Sequence, residues 1–292
     1  MTRTADVLAT LAIALAAMLD ALPADAQQTY TAVAAPTSQL QLPSPGGTCG
    51  KVTNPCRTLQ EAYNVTAAGG EIDVLTPGNY GPLTISHAIS IQGHGFASIQ
   101  QPSSADNAVT ISAGASDAIT LNGLLMDGEG SGSNGISITS VASVQILNCV
   151  ARHFAYAGIV FASSNSGSNL LVTNTVLSDN GAYGIYVPAV PGLVVLDRVT
   201  ANNNGFLAPL PVTGAGAYVW APTMISNSVL SNNLIGFETS GPNAWLAKSV
   251  VTGNSVYGIF LHGGTVYSYG DNFISGNTTN VSAGSLTPIS TQ

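Results

Sequence analysis

Close relatives of one segment, LLVTNTVLSDNGAYGIYV at residues 170–187, recur along most of this chain, and that recurrence restricts the fold more than any other feature. Aligned on a first bend residue, the copies fall at Asn148, Asn174, Asp197, Asn227, Lys248 and Asp271, with a looser copy at Asn122. Successive spacings are 26, 26, 23, 30, 21 and 23 residues. Six positions further on stands a second column, Gly128, Phe154, Asn180, Asn203, Asn233, Asn254 and Asn277. A third is all glycine: Gly135, Gly158, Gly184, Gly216, Gly236 and Gly258. The unit between bends consists of short, alternating, β-branched runs, too short for a helical hairpin repeat. Each unit therefore reads as one coil of a parallel β-helix.

A single coil of three strands cannot bury its inward side chains. Stacking coils at strand spacing pairs the backbone groups of each with the next and joins the inward side chains into one core. Alternation places the residues one and three after each glycine inside: Ile136/Ile138, Ile159/Phe161, Ile185/Val187, Ala217/Val219, Phe237/Thr239 and Ile259/Leu261. Asparagine suits a bend because it tolerates left-handed backbone, and stacked asparagines hydrogen-bond along the coil axis, so both Asn columns read as structural.

With 45% hydrophobic and 7% charged residues among 292, the chain can bury a large core as one domain. Six Lys+Arg against fourteen Asp+Glu give a net charge of -8, which argues against a nucleic-acid partner. Residues 1–26 read as a secretory signal: Arg3, an apolar run over residues 8–19 too short to span a bilayer, and Ala24-Asp25-Ala26 before Gln27. The mature chain is thus expected to be secreted or periplasmic, without a membrane span. Residues 27–48, rich in Thr, Ala, Pro and Ser, read as a flexible linker; residues 49–283 as the solenoid of eight or nine coils with its cap; residues 284–292 as a polar tail. Export gives meaning to Cys49 and Cys56, which enclose GKVTNP, a loop short enough to close as a disulfide, while Cys149 is left as a lone thiol.

RTLQEAYNVTAA, residues 57–68, reads as a short helix with Leu59, Ala62 and Tyr63 on one face, stopped at Gly69-Gly70. The longer stretch TLQEAYNVTAAGGEIDVLTPGNY, followed by the coils, resembles the N-terminal cap of pectin-lyase-like right-handed parallel β-helix proteins. In that superfamily a helix plugs the open end of the solenoid, and the resemblance covers residues 56–281. It implies an all-β fold but no particular activity, since lyases, hydrolases, esterases, tailspikes and proteins without known activity share it. It also implies that substrate lies on the sheet beside the longest loops. Here the longest insertion is residues 204–215, where thirteen positions separate Asn203 from Gly216.

Residues two and four after each glycine point outward, which gathers Tyr186, Tyr218, Trp220, Glu238, Phe260 and His262 on one face. Rings on a flat sheet are what a sugar ring or a protein partner stacks on, so an extracellular polysaccharide or other glycan is the expected ligand. The alternatives are a lyase or hydrolase using Glu238 and His262, and a structural surface protein docking a protein partner. Glycoside hydrolysis in its usual form wants two carboxylates, and the face offers Glu238 alone. Ser240 beside His262 suggests a nucleophile and base, but no oxyanion hole can be named for them. Asp127 and Glu129 in MDGEGSGSNG lack the spacing of a calcium loop and read as a solvated turn. Gly93-His94-Gly95 resembles a hydrolase motif without its aspartates. Neither a metal site nor a cofactor is expected, and the sequence leaves the oligomeric state open.

Overall fold

Inward alternation builds a stack. In the computed structural model, which describes residues 31–34, 49–188, 192–206, 214–282 and 284–290, the inward residues of successive coils lie directly over one another. Ile136, Ile159, Ile185, Ala217, Phe237 and Ile259 pair in register, and all are fully buried. The small Ala217 lies next to the large Phe237, so volume is conserved along the column. Each such aliphatic or aromatic side chain contributes about 1.5–3 kcal/mol by leaving water.

Among the described residues the strands form two parallel sheets. A nine-stranded sheet runs from Leu83–Ile85 to Thr279–Ser282, one strand per coil. An eighteen-stranded sheet supplies the other faces of the solenoid, its strands meeting at left-handed bends. The all-β parallel solenoid expected from the sequence is therefore the fold observed.

The bends follow a register slightly different from the one expected. Asn148, Asn174, Asn227 and Lys248 have φ near +50°, but in the intervening coil the left-handed residue is Arg198, not Asp197. Likewise Asn203 is a left-handed, outward residue (φ 58°), and it is Asn204 that joins the buried column with Asn180, Asn233 and Asn254. In that column each Oδ1 accepts from the backbone N–H of the preceding coil: Phe154 to Asn180 at 3.1 Å, Asn180 to Asn204 at 3.1 Å, Asn204 to Asn233 at 2.9 Å, Asn233 to Asn254 at 3.0 Å, Asn254 to Asn277 at 3.0 Å. Cys149 stacks beside Thr175, whose hydroxyl accepts its backbone N–H. Burial pushes the Cys149 thiol up to about 11.

Helix α1 (Leu59–Val65) closes the N-terminal end. Thr58 caps it by accepting from the Glu61 N–H at 3.0 Å, Glu61 accepts in turn from the Arg57 N–H, and Leu59, Ala62 and Tyr63 face the core. It stops at Thr66, three residues before the glycine pair, where the Thr66 hydroxyl donates back to Ala62 O at 2.7 Å. Cys49 and Cys56 are bonded, with Cα atoms 4.9 Å apart. The expected signal at 1–26 and most of the expected linker lie outside the described residues; within the latter, Thr31–Ala34 pairs in parallel with Glu71–Val74. In the stretch read as a tail, Thr287–Pro288 adds a strand beside Tyr267 and Ser268, and Leu286 packs on the core. No helix among the described residues is long and apolar enough to cross a membrane.

Candidate functional site

The outward face of the nine-stranded sheet carries two columns of side chains. In the first, Val160, Tyr186, Tyr218, Glu238 and Phe260 stand opposite one another in register. In the second, Ala157, Tyr183, Ala215, Ile235 and Tyr257 do the same. The glycine column separates them for a steric reason. A Cβ at Gly184 would stand 2.5 Å from Gly216 O, and one at Gly236 would stand 2.6 Å from Gly258 O. The chain is pressed against its neighbour there, so the residue before each glycine is turned outward together with the residue two after it.

These side chains form an apolar cluster separate from the core. Tyr183 stacks on Tyr186 at 4.6 Å between ring centroids, Tyr186 lies 5.2 Å from Tyr218, and Tyr156 meets Tyr183 and Tyr186 edge-on at 5.5 and 5.7 Å. Burial raises the Tyr156 hydroxyl well above its ordinary range, and the neighbouring Tyr186 and Tyr183 reinforce the shift. Higher on the sheet, Tyr257 stacks on Phe260 at 4.8 Å and Phe260 lies 4.4 Å from the His262 ring.

Glu238 stands between the two ring groups, with only 1% of its surface exposed. Its Oε1 is 3.1 Å from His262 Nδ1, and its Oε2 is buried without a partner among the described residues. Burial raises the Glu238 carboxyl above its usual range, against the opposing pull of His262. His262 is held by its own backbone, whose N–H donates to Thr239 O at 2.8 Å, and half of its side chain remains exposed. With Glu238 ionised, His262 Nδ1–H donates to it and leaves Nε2 as an outward-facing acceptor; with His262 protonated, Nε2 becomes a donor. The pair can thus offer a ligand hydroxyl either partner, or move a proton.

The sequence-predicted residues sort into three places. Tyr186 and Tyr218 meet in the tyrosine cluster; Glu238, Phe260 and His262 meet above it. Trp220 stands apart on the turn after strand Ala215–Val219, 50% exposed, with its Cδ1 against Gly241. His262 turns to Glu238 instead of Ser240, so no Ser240 dyad forms. Residues 207–213, the centre of the long insertion, lie outside the described residues. Three rings of the face, Tyr156, Tyr183 and Tyr257, escaped the sequence reading, although Tyr183 and Tyr257 share a plain signal: each immediately precedes a repeat glycine.

The other candidates are structural. Asp127 accepts from the Glu129 N–H at 3.0 Å, His153 at 3.1 Å and Arg152 at 2.9 Å. Burial tends to raise its carboxyl, but these hydrogen bonds outweigh that and hold it below the usual range. His94 occupies a left-handed bend with its ring on Asp73. Among the described residues no three His, Cys, Asp or Glu side chains stand together as metal ligands.

A solenoid of parallel coils with an aromatic outer face defines this molecule as a β-helix repeat protein. The model of the right handed beta helix region family matches residues 134–287, over half of the chain, and the chain belongs to that family. Among solved structures it is similar to the crystal structure of pectate lyase Pel9A, with 15% identity and a TM-score of 0.53, covering 90% of this chain and 78% of that one. That likeness is one of fold. No curated protein matches the chain in sequence.

Proposed function

We propose that this chain is an exported polysaccharide-binding protein whose ligand lies across the outer face of the nine-stranded sheet. The observation that carries the reading is the in-register column of Tyr186, Tyr218 and Phe260 outside the core, with Trp220 exposed at its edge. Tyr186 and Tyr218 are one strand apart and Phe260 lies two strands beyond Tyr218, across Glu238, so the column offers apolar platforms on either side of a polar group to a chain of sugar rings. A neighbour of the same fold, at low identity, is named a pectate lyase, which agrees with a carbohydrate ligand. The signal pattern at residues 1–26 agrees with export.

The test is affinity electrophoresis of the mature chain, residues 27–292, through gels containing soluble polysaccharides, with Trp220→Ala and Tyr218→Ala beside the wild type. Trp220→Ala is expected to reduce retention while leaving the melting temperature unchanged, because the ring is half exposed. Retention equal to wild type in both variants would remove the face as a binding site.

A second reading, cleavage of the bound glycan, is favoured by the 3.1 Å contact between Glu238 and His262. Incubating a retained polymer and assaying new reducing ends and unsaturated ends separates the two. Product formed by wild type but not by Glu238→Gln would make the pair catalytic.

A further inference from the structure

Resting on the binding reading above, we infer that the face takes an uncharged polysaccharide and not a polyuronate, with His262 as the group that reads its hydroxyls. Charge placement is the first reason. The basic residues within the described parts of the chain are Lys51, Arg57, Arg152, Arg198 and Lys248, and none lies in a strand of the nine-stranded sheet. Lys51 lies within the disulfide-closed loop at the N-terminal end and Arg57 directly follows it. Arg152 is bound to Asp127 at 2.9 Å and Arg198 to Asp197 at 2.7 Å; Arg198 and Lys248 are bend residues of the other sheet. The insertion residues 207–213, LAPLPVT, carry no charge either. A uronate laid on the rings would find no Lys or Arg among the described residues of that sheet to meet its carboxylates.

Glu238 is the second reason. It is the acid of the outward column, buried between Tyr218 and Phe260 in register, and its Oε2 has no partner among the described residues. Wherever Glu238 is ionised, a polyanion passing over it would bring like charge to a buried carboxylate. A bridging cation would need further ligands, and no such grouping stands among the described residues. A neutral chain meets none of these costs. It gains ring stacking on Tyr186, Tyr218 and Phe260, and a hydrogen bond from a hydroxyl to His262 Nε2, whose direction Glu238 fixes through Nδ1.

The experiment measures affinity of residues 27–292 for polygalacturonate, its fully methyl-esterified form, alginate, a soluble β-glucan, xylan and galactomannan, between about 0.05 and 0.5 M NaCl. The expected result is retention by at least one uncharged polymer, little affected by salt, with no retention by polygalacturonate or alginate. His262→Ala should weaken the retained polymer about tenfold, the loss of one well-placed hydrogen bond. Stronger retention by a polyuronate than by any neutral polymer would overturn the inference and leave glycan binding standing. No retention by any polymer would overturn both. Unchanged affinity in His262→Ala would remove that residue from recognition.

Discussion

Asn233 shows how much of this fold depends on polar groups that never reach water. It is fully buried, and its side chain makes four hydrogen bonds. Oδ1 accepts from Asn204 N and from Asn204 Nδ2, both at 2.9 Å, and Nδ2 donates to Ala201 O at 3.0 Å and to Asn254 Oδ1 at 3.2 Å. Asn233→Ala removes all four and leaves the Asn204 N–H buried without its acceptor. At about 1 kcal/mol net for each bond and somewhat more for the orphaned amide, the expected loss is about 3–5 kcal/mol. Asn233→Asp keeps both acceptor contacts but points an oxygen at Ala201 O and Asn254 Oδ1, so it should cost at least as much. The adjacent Asn232 is the control: it is an exposed bend residue with φ 55°, where glycine is equally at ease, and Asn232→Gly should stay within about 0.5 kcal/mol of wild type. Urea unfolding followed by circular dichroism, with the disulfide intact, measures all three. An Asn233→Ala loss below about 1 kcal/mol, or one matched by Asn232→Gly, would refute the claim that the buried column carries stability.

Gly184→Ala places a Cβ 2.5 Å from Gly216 O, a backbone atom that cannot turn aside, and should cost about 1–3 kcal/mol in the same assay. A neutral effect would mean the coils can slide apart at that point. Glu238 gives a pH signature: burial raises its folded-state value, so between the unfolded value of about 4.3 and the folded one the native chain holds a proton that the unfolded chain has released. Stability is therefore lost as pH rises through that window, and Glu238→Gln should gain on wild type from pH 4 to pH 7; a difference that is flat or moves the other way refutes it. The Cys149 thiol, buried and pushed up to about 11, should resist alkylation in the native protein at pH 8 and react fully once unfolded. Rapid native modification would contradict its placement.

The fold was legible because a solenoid repeats its constraints. Six glycines and six inward pairs reported the same geometry, the helix read at residues 57–68 was found at Leu59–Val65, and the two cysteines closed where the loop length allowed. The looser copy at Asn122 is displaced by one, its left-handed residue being Gly123, and among the regular copies the register failed in one coil for a specific reason. Other coils measure the buried asparagine by its distance of three or four residues from the next glycine, but the insertion before Gly216 removes that ruler, and Asn202, Asn203 and Asn204 follow one another with nothing in composition to rank them. Only the pairing of Thr200–Asn202 with Val229–Ser231 selects Asn204. The site was half legible. Strict alternation finds Tyr186, Tyr218, Glu238 and Phe260, whereas Tyr183 and Tyr257 depend on how closely the glycine presses on the next coil, a contact between residues far apart in sequence. That His262 chooses Glu238 over Ser240 is likewise set by side-chain direction, which spacing does not encode.

The linked asparagines from Asn180 to the half-buried Asn277 all face the same way along the axis, and the distances between them are 24, 29, 21 and 23 residues. Coil length varies by several residues while the junction stays chemically constant, so the coil behaves as a monomer with a head and a tail in a one-dimensional polymer. Slack is taken up at the bends, and the rungs act as the couplings. Splicing one such unit in or out would rejoin an asparagine to an asparagine and shift the outer face by a single strand, about 4.8 Å, with no change to the rule by which the rest is built.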